Sequence, residues 1–140
     1  MASRNGQTAL SIFSSWEGRD FDGLVSNMSD DVLVEDQARG EKLSGRDATK
    51  GWFASWAEAC PDSVVNANVI GEGDDTVVIQ GLWEGTNQGP LGPMPATGKR
   101  VMLPFINVLQ FDTDGRVVRS AGYYDQLSIM TQLGHMPAAG

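Results

Sequence analysis

The sequence has little of what metal, disulfide and nucleic-acid sites require. It contains one cysteine and one histidine, and 18 acidic residues outnumber 10 lysines and arginines, for a formal net charge of −8. A single cysteine excludes an intramolecular disulfide, and with one histidine it leaves no zinc-ligand set. Binding to nucleic acid needs clustered basic residues, which this acidic chain lacks. We expect no metal site, no nucleic-acid partner, and a buried, unreactive thiol at Cys60.

Long hydrophobic runs are missing as well. No stretch approaches the ~20 apolar residues that span a membrane, and Met1-Ala2-Ser3-Arg4 lacks the apolar centre of a signal peptide. We therefore expect a cytoplasmic protein with no membrane partner. A length of 140 residues with 41% apolar content fits one globular domain. We predict a single domain over 1–140, with a core at about 7–134 and tails at 1–5 and 135–140.

Apolar residues recur at helical spacing in the first half of the chain. This period predicts helices at 7–18 and 46–60, and a short helix between them that Asp20 caps. Pro61 prevents the third helix from continuing. The run at 31–37 predicts one strand, followed by a polar loop.

The second half of the chain reads as strands joined by turns. Alternating polar and apolar residues predict four strands, at 63–70, 76–85, 99–111 and 116–125, followed by a short helix. The segment 86–98 is rich in glycine and proline and predicts a loop, either a lid or a plain crossover.

This order of elements predicts an α+β fold. Three N-terminal helices would cover one face of a strongly curved antiparallel or mixed sheet. The helices and the sheet would form a cone, and its internal pocket would bind a hydrophobic small molecule.

Asp125 is the most informative candidate residue. It ends an apolar, aromatic strand and directly precedes the final helix. It is either a solvated N-cap of that helix or a general base whose pKa is raised by an apolar surround. Strand alternation places Asp125, Tyr123 and Ala121 on one face.

The neighbouring strand supplies the rest of the predicted site. A tight hairpin would place Leu103, Phe105, Asn107 and Leu109 on the face that carries Asp125. Asn107 is the only polar side chain of that group and would donate to a substrate carbonyl or to backbone and water partners. Tyr123 would either donate to an oxyanion or serve in packing.

Tryptophans are further candidates for contact with the substrate. Trp83 and Gln80 lie on opposite faces of one strand, and we expect Trp83 to face the pocket. Trp16 and Trp56 would belong to the core or form an aromatic end of the pocket.

Two polar residues on the first strand complete the candidates. Glu35 and Gln37 share one face, as a second acid with its orienting partner or as the solvent face of an edge strand.

Four stretches of the sequence carry a resemblance to a known family. They are Ser44-Gly45-Arg46-Asp47-Ala48, Trp56-Ala57-Glu58-Ala59-Cys60-Pro61-Asp62, Pro95-Ala96-Thr97-Gly98-Lys99, and Tyr124-Asp125 with Gln132-Leu133-Gly134. Their order and spacing resemble the SnoaL-like polyketide cyclases, or ester cyclases, of the nuclear transport factor 2-like superfamily. The similarity runs from about Leu10 to Gly134.

The resemblance implies a cone fold and a cofactor-independent, aldol-type ring closure of a hydrophobic polyketide-like substrate. The family's general base is an aspartate before the final Gln-Leu-Gly, and Asp125 matches it. The resemblance also implies a homodimer through the open sheet face, near Asn66 and Asn68. Two departures from the family argue against a mechanism that uses histidine. Many relatives have a histidine after Gly-Thr, where this chain has Asn87 after Gly85-Thr86. Many also have an Asp-His-Asn-like triplet on the first strand, where this chain has Glu35-Asp36-Gln37.

Three functions stay open at this stage. The first is a cyclase or isomerase of secondary metabolism, of the lyase or isomerase class. The second is epoxide opening or hydration, which needs two carboxylates flanking a water, such as Asp125 with Glu35 or Asp36. The third is a non-catalytic ligand-binding and dimerisation module.

Overall fold

Four helices and six strands make up residues 3–136, the part of the chain that the computed structural model describes. The helices are α1 (Arg4–Ser14), α2 (Phe21–Val25), α3 (Arg46–Ala59) and α4 (Gln126–Gln132). The strands are β1 (Met28–Asp36), β2 (Glu41–Ser44), β3 (Val64–Glu72), β4 (Thr76–Thr86), β5 (Arg100–Phe111) and β6 (Val117–Tyr124).

The predicted order of elements is confirmed, with several local differences. The helix predicted at 7–18 ends at Ser14, and the strand predicted at 31–37 begins at Met28. The polar loop predicted after the first strand contains the short strand β2. Helix α1 begins at Arg4, within the predicted tail 1–5, because the Ser3 side chain accepts a hydrogen bond from the Gly6 amide and caps the helix. Residues 1–2 and 137–140 of the predicted tails lie outside the described residues.

The six strands form one mixed sheet in the order β2-β1-β6-β5-β4-β3. Strands β3 to β6 pair antiparallel in succession, and β1 then joins β6 in parallel. The predicted α+β fold with a mixed sheet is therefore confirmed. Helices and sheet form the cone typical of nuclear transport factor 2-like proteins.

The core lies between the helices and one face of the sheet. Ile12 and Phe13 of α1 and Phe53 and Trp56 of α3 are buried there. We call this covered sheet face the inner face and the opposite one the outer face. Cys60, at the end of α3, is also buried, and burial raises the pKa of its thiol to about 12.

A bulge in β6 decides which of its residues face the core. Phe111 pairs with Val117, but the next pair is Gln110 with Arg119, so Val118 is an extra residue. Beyond the bulge, Leu109, Asn107 and Phe105 oppose Ser120, Gly122 and Tyr124. The prediction that Asp125, Tyr123 and Ala121 share the face of Leu103, Phe105 and Asn107 is therefore wrong by one residue.

The glycine- and proline-rich loop between β4 and β5 is fixed by Asn87. The Asn87 amide nitrogen donates to the carbonyls of Ala59 (3.2 Å) and Gly89 (2.9 Å), and its Oδ1 accepts from the Thr97 amide (2.8 Å). Gly89 must be a glycine, because a Cβ there would collide with the Glu58 carbonyl. The loop is thus tied to the end of α3.

We expect Asn87→Ala to lower the free energy of unfolding by ~1–3 kcal/mol, because the Thr97 amide and the Gly89 carbonyl lose their hydrogen bonds to the Asn87 side chain. Urea unfolding followed by circular dichroism measures this change. Gln88→Ala is the control, since Gln88 is exposed. Equal stability of both variants would show that Asn87 does not hold the loop.

Candidate active site

A cavity of about 80 Å³ lies between the helices and the inner sheet face. Its walls are almost wholly apolar and aromatic. They are formed by Phe13, Trp16, Trp52, Phe53, Trp56, Val65, Trp83, Leu103, Phe105, Asn107, Gly122, Tyr123 and Tyr124. The predicted residues Trp16, Trp56, Trp83, Leu103, Phe105 and Asn107 all belong to this wall, which we call the aromatic cavity.

Trp56 is the centre of the aromatic wall. Its ring packs edge-on against Trp83 (5.2 Å between centroids) and Tyr124 (5.5 Å). The indole nitrogens of Trp56 and Trp83 are buried and have no hydrogen-bond partner among residues 3–136. Since buried donors are normally paired, these two N–H groups are available to acceptor atoms of a ligand.

A carboxylate that the sequence suggested only as a partner for Asp125 in hydration or epoxide opening lies behind this wall. Asp36, at the end of β1, is 1% exposed. Its Oδ2 accepts hydrogen bonds from the Tyr124 hydroxyl (2.8 Å) and the Trp52 indole (3.3 Å), and its Oδ1 accepts from the Arg39 amide (3.1 Å). Two of these three donors belong to cavity-lining residues, so Asp36 reaches the cavity through them.

The Tyr124 hydroxyl is the polar group that joins Asp36 to the cavity. Burial raises its pKa far above the ordinary value for tyrosine, and the hydrogen bond to Asp36 adds to the rise. The positive charge of Arg39 acts weakly in the opposite direction. Tyr124 therefore rests as a neutral phenol whose proton is directed at a carboxylate.

Asp36 and Asn107 lie in one row across the inner face, on either side of Gly122. Gly122 pairs with Asp36 of β1 and with Asn107 of β5. Two strand spacings put the Cα atoms of Asp36 and Asn107 roughly 10 Å apart. The Asn107 Oδ1 accepts from the Ser120 hydroxyl at 3.2 Å, which leaves the Asn107 NH₂ group without a partner in the described chain.

Asp125 lies outside the cavity. Its residue is exposed, and its Oδ1 accepts from the Ser128 amide at 3.2 Å, so Asp125 is the N-cap of α4. The prediction of a dry, aromatic environment for Asp125 is wrong, because the bulge turns Tyr124 inward in its place. Tyr123 borders the cavity, but it is 45% exposed and pairs with Ile106 of the outer face.

Glu35 and Gln37 come together as predicted, but away from the cavity. The Gln37 amide donates to Glu35 Oε2 at 3.2 Å, and Arg119 Nε donates to Glu35 Oε1 at 2.5 Å. The hydrogen bond from Arg119 holds the pKa of Glu35 below its usual value, against a smaller opposing effect of burial. Neither Glu35 nor Gln37 borders the aromatic cavity, so the geometry of this cavity does not support their predicted contact with substrate.

The sequence held a usable signal for Asp36. Val32, Val34 and Asp36 alternate on one face of β1, so a carboxylate ends a row of buried apolar residues. For Tyr124 there was no such signal, because its orientation depends on the bulge.

Comparison with known proteins identifies the chain. The SnoaL-like polyketide cyclase family matches residues 8–133. The chain belongs to this family.

Solved structures share the fold of this family member over nearly its whole length. One, described as a SnoaL-like polyketide cyclase from Jannaschia sp. CCS1, is 26% identical, with a TM-score of 0.85 over 96% of this chain and 94% of the other. AclR from Streptomyces galilaeus, described as a hydroxylase, is 23% identical, with a TM-score of 0.83 over 97% and 84%. A protein described as a SnoaL-like polyketide cyclase from Shewanella denitrificans OS-217 is 18% identical, with a TM-score of 0.82 over 96% and 100%. Among curated proteins, none matches the sequence.

Within residues 3–136, no group of three or more His, Cys, Asp or Glu side chains is arranged to hold a metal ion. No helix of the same residues is both long and apolar enough to cross a membrane.

The Glu35–Arg119 pair predicts how stability depends on pH. Because the folded-state pKa of Glu35 is lowered, its contribution is present above the unfolded-state pKa, ~4.3, and is lost as the pH falls through the folded-state value. We expect Glu35→Gln to lower the melting temperature at pH 7 and to reduce its decline between about pH 5 and pH 3. Calorimetry across this range measures the effect, with the exposed Glu17→Gln as control; parallel wild-type and Glu35→Gln curves would contradict it.

Proposed function

We propose that the chain is a cofactor-independent cyclase or isomerase of secondary metabolism. It would close a ring in a hydrophobic, polyketide-like carbonyl substrate by acid–base chemistry in the aromatic cavity. The observation that carries this proposal is the Asp36–Tyr124 hydrogen bond at the wall of an apolar cavity. Membership of the SnoaL-like polyketide cyclase family supports the substrate class.

Aldol-type ring closure needs a base near an acidic carbon and a donor near the forming enolate oxygen. In the proposed step, the Tyr124 oxygen takes the proton from the carbon α to a carbonyl while the Tyr124 proton passes to Asp36. The enolate carbon attacks a second carbonyl of the same molecule and forms the new C–C bond. The proton returns from Asp36 through Tyr124 to the resulting alkoxide.

Asn107 is the proposed donor for the enolate oxygen. Its NH₂ group has no partner in the described chain, and its side chain borders the same cavity. Gly122 separates it from Asp36 and places no side chain between the two polar groups. A substrate lying over Gly122 would therefore present one side to Tyr124 and the other to Asn107.

Asp125 stays a second candidate for the base, because it matches the family's aspartate. In that case the first turn of α4 would have to open, since the Asp125 carboxylate is engaged with the Ser128 amide. Its close position, one residue after Tyr124, makes the alternative worth testing directly.

Replacing each acid with its amide distinguishes the two bases. We expect Asp36→Asn to lower the turnover of an aromatic β-keto methyl ester by ~10²–10⁴-fold, and Tyr124→Phe to lower it comparably. Asp125→Asn should retain turnover and stability, because asparagine caps helices about as well as aspartate. Ring closure is followed by absorbance, and circular dichroism checks the fold of each variant.

Other patterns of turnover among the three variants would support the other candidate functions. Loss of turnover in Asp125→Asn alone would assign the base to Asp125. Unchanged turnover in all three variants would assign the chemistry to other groups, and a wild type without turnover would favour the non-catalytic ligand-binding module. Epoxide opening is less well supported, because Glu35 lies on the outer face and Asp125 is exposed, so neither faces Asp36 across the cavity.

We also propose a homodimer that forms through the outer sheet face. Apolar side chains are exposed there, including Ile70, Met102 and Tyr123, and Ile106 lies at the centre of this face. A cytoplasmic location likewise stays a prediction.

The dimer is tested by sedimentation. We expect the wild type to sediment as a dimer and Ile106→Asp to sediment as a monomer, because a carboxylate would be desolvated in the interface. Leu127→Asp is the control, since Leu127 is 58% exposed and lies on α4 rather than on the outer sheet face. A monomeric wild type would refute the dimer.

A further inference from the structure

A second pocket, of about 300 Å³, shares Trp56 with the aromatic cavity. The loop between β4 and β5 contributes Leu91, Pro93 and Met94, and helix α4 contributes Gln126 and Met130. Arg39 and Trp56 complete its wall. The two pockets are therefore neighbours at Trp56.

Arg39 brings a positive charge into this mostly apolar pocket. Its side chain is 23% exposed, and its guanidinium carbon lies 5.8 Å from the centre of the Trp56 ring. Its ion-pair partner in the described chain is Glu41, which approaches Nε at 3.4 Å and is itself 44% exposed. A pair so close to solvent is weak, so it does not account for a guanidinium held against an indole.

Two polar atoms of the pocket walls lack partners. The Gln126 side-chain oxygen and the Trp56 indole nitrogen are buried, and neither has a hydrogen bond within residues 3–136. Trp56 is only 7% exposed. A buried donor and a buried acceptor without partners are unusual, and a polar ligand between the loop and α4 would satisfy both.

The pocket is also adjacent to the proposed chemistry. Arg39 follows Asp36 in the chain by three residues, and its backbone amide donates to the Asp36 carboxylate. Its charge acts at the Tyr124 hydroxyl, as the lowering effect on the pKa of Tyr124 indicates. A substrate that reaches Tyr124 from the aromatic cavity would thus approach Arg39 as well.

We propose that this pocket is a second substrate subsite that binds an anionic oxygen, a carboxylate or an ionised enol, of a planar aromatic substrate whose apolar body occupies the aromatic cavity. The inference rests on the proposed function, because it assumes that the aromatic cavity binds the apolar body of the substrate. Arg39 binds the anionic oxygen, and Trp56 donates to it or to a neighbouring carbonyl. Gln126 accepts from a hydroxyl of the same molecule.

Two quinones of similar size test the subsite. The first, 2-hydroxy-1,4-naphthoquinone, is an anion at neutral pH, and the second, 2-methyl-1,4-naphthoquinone, is neutral. Quenching of the fluorescence of the cavity tryptophans measures their binding to the wild type and to each variant. We expect the wild type to bind the anionic quinone more tightly.

Arg39→Gln should weaken binding of the anionic quinone by about ten- to a hundredfold, the range for one charge-assisted hydrogen bond. It should change the affinity for the neutral quinone by less than about twofold. Arg39→Lys should recover part of the loss. Arg116→Gln removes the same charge from the exposed β5–β6 turn and should leave both affinities unchanged.

Other outcomes overturn the subsite. The subsite is refuted if Arg39→Gln lowers the affinity for both quinones equally or for neither. It is also refuted if Arg116→Gln lowers the affinity for the anionic quinone as much, or if the wild type binds neither quinone. The result is separable from the proposed function, because Arg39→Gln changes affinity whereas Asp36→Asn changes turnover. A selective loss of affinity in Arg39→Gln with full turnover in Asp36→Asn would support the subsite and refute the proposed role of Asp36 in catalysis.

Discussion

One extra residue in β6 determines which side chains of that strand face the cavity. The bulge at Val118 changes the alternation of the whole strand, so that Tyr124 and Gly122 face the helices and Tyr123 faces outward. Without it, the carboxylate after the strand would lie on the opposite face. The bulge therefore determines that the Tyr124 hydroxyl is the polar group of β6 at the cavity and that Gly122 lies between Asp36 and Asn107. It also leaves Asp125 outside the cavity, where it caps α4.

The site that results combines a buried carboxylate with an aromatic shell. Asp36 is almost fully buried, and a carboxylate in such a position requires several donors to be tolerated. Those donors are the Tyr124 hydroxyl, the Trp52 indole and the Arg39 amide, which come from a strand, a helix and a loop. The acid therefore connects three parts of the molecule, so the residue that we propose takes part in catalysis also has a structural role.

Much of the fold was predictable because it rests on short-range patterns. Helical period, strand alternation, Pro61 and the order of elements were enough for the α+β architecture. The aromatic wall was also predictable, since Trp16, Trp56 and Trp83 are large residues in regular positions. The register of β6 was not, because a bulge follows from how two strands pair across a turn. The error therefore fell on Asp125 and Tyr123, whereas Asn107, on the regular strand β5, was predicted to face the cavity and does so.

Trp56 lines both the aromatic cavity and the second pocket, and this position has a consequence for ligand binding. The aromatic cavity alone, about 80 Å³, is small for a multi-ring molecule. A change in the rotamer of Trp56 would alter both pockets at once, because its side chain lines each of them. The two pockets are thus coupled through one side chain, and a ligand that displaces it in one pocket changes the space available in the other.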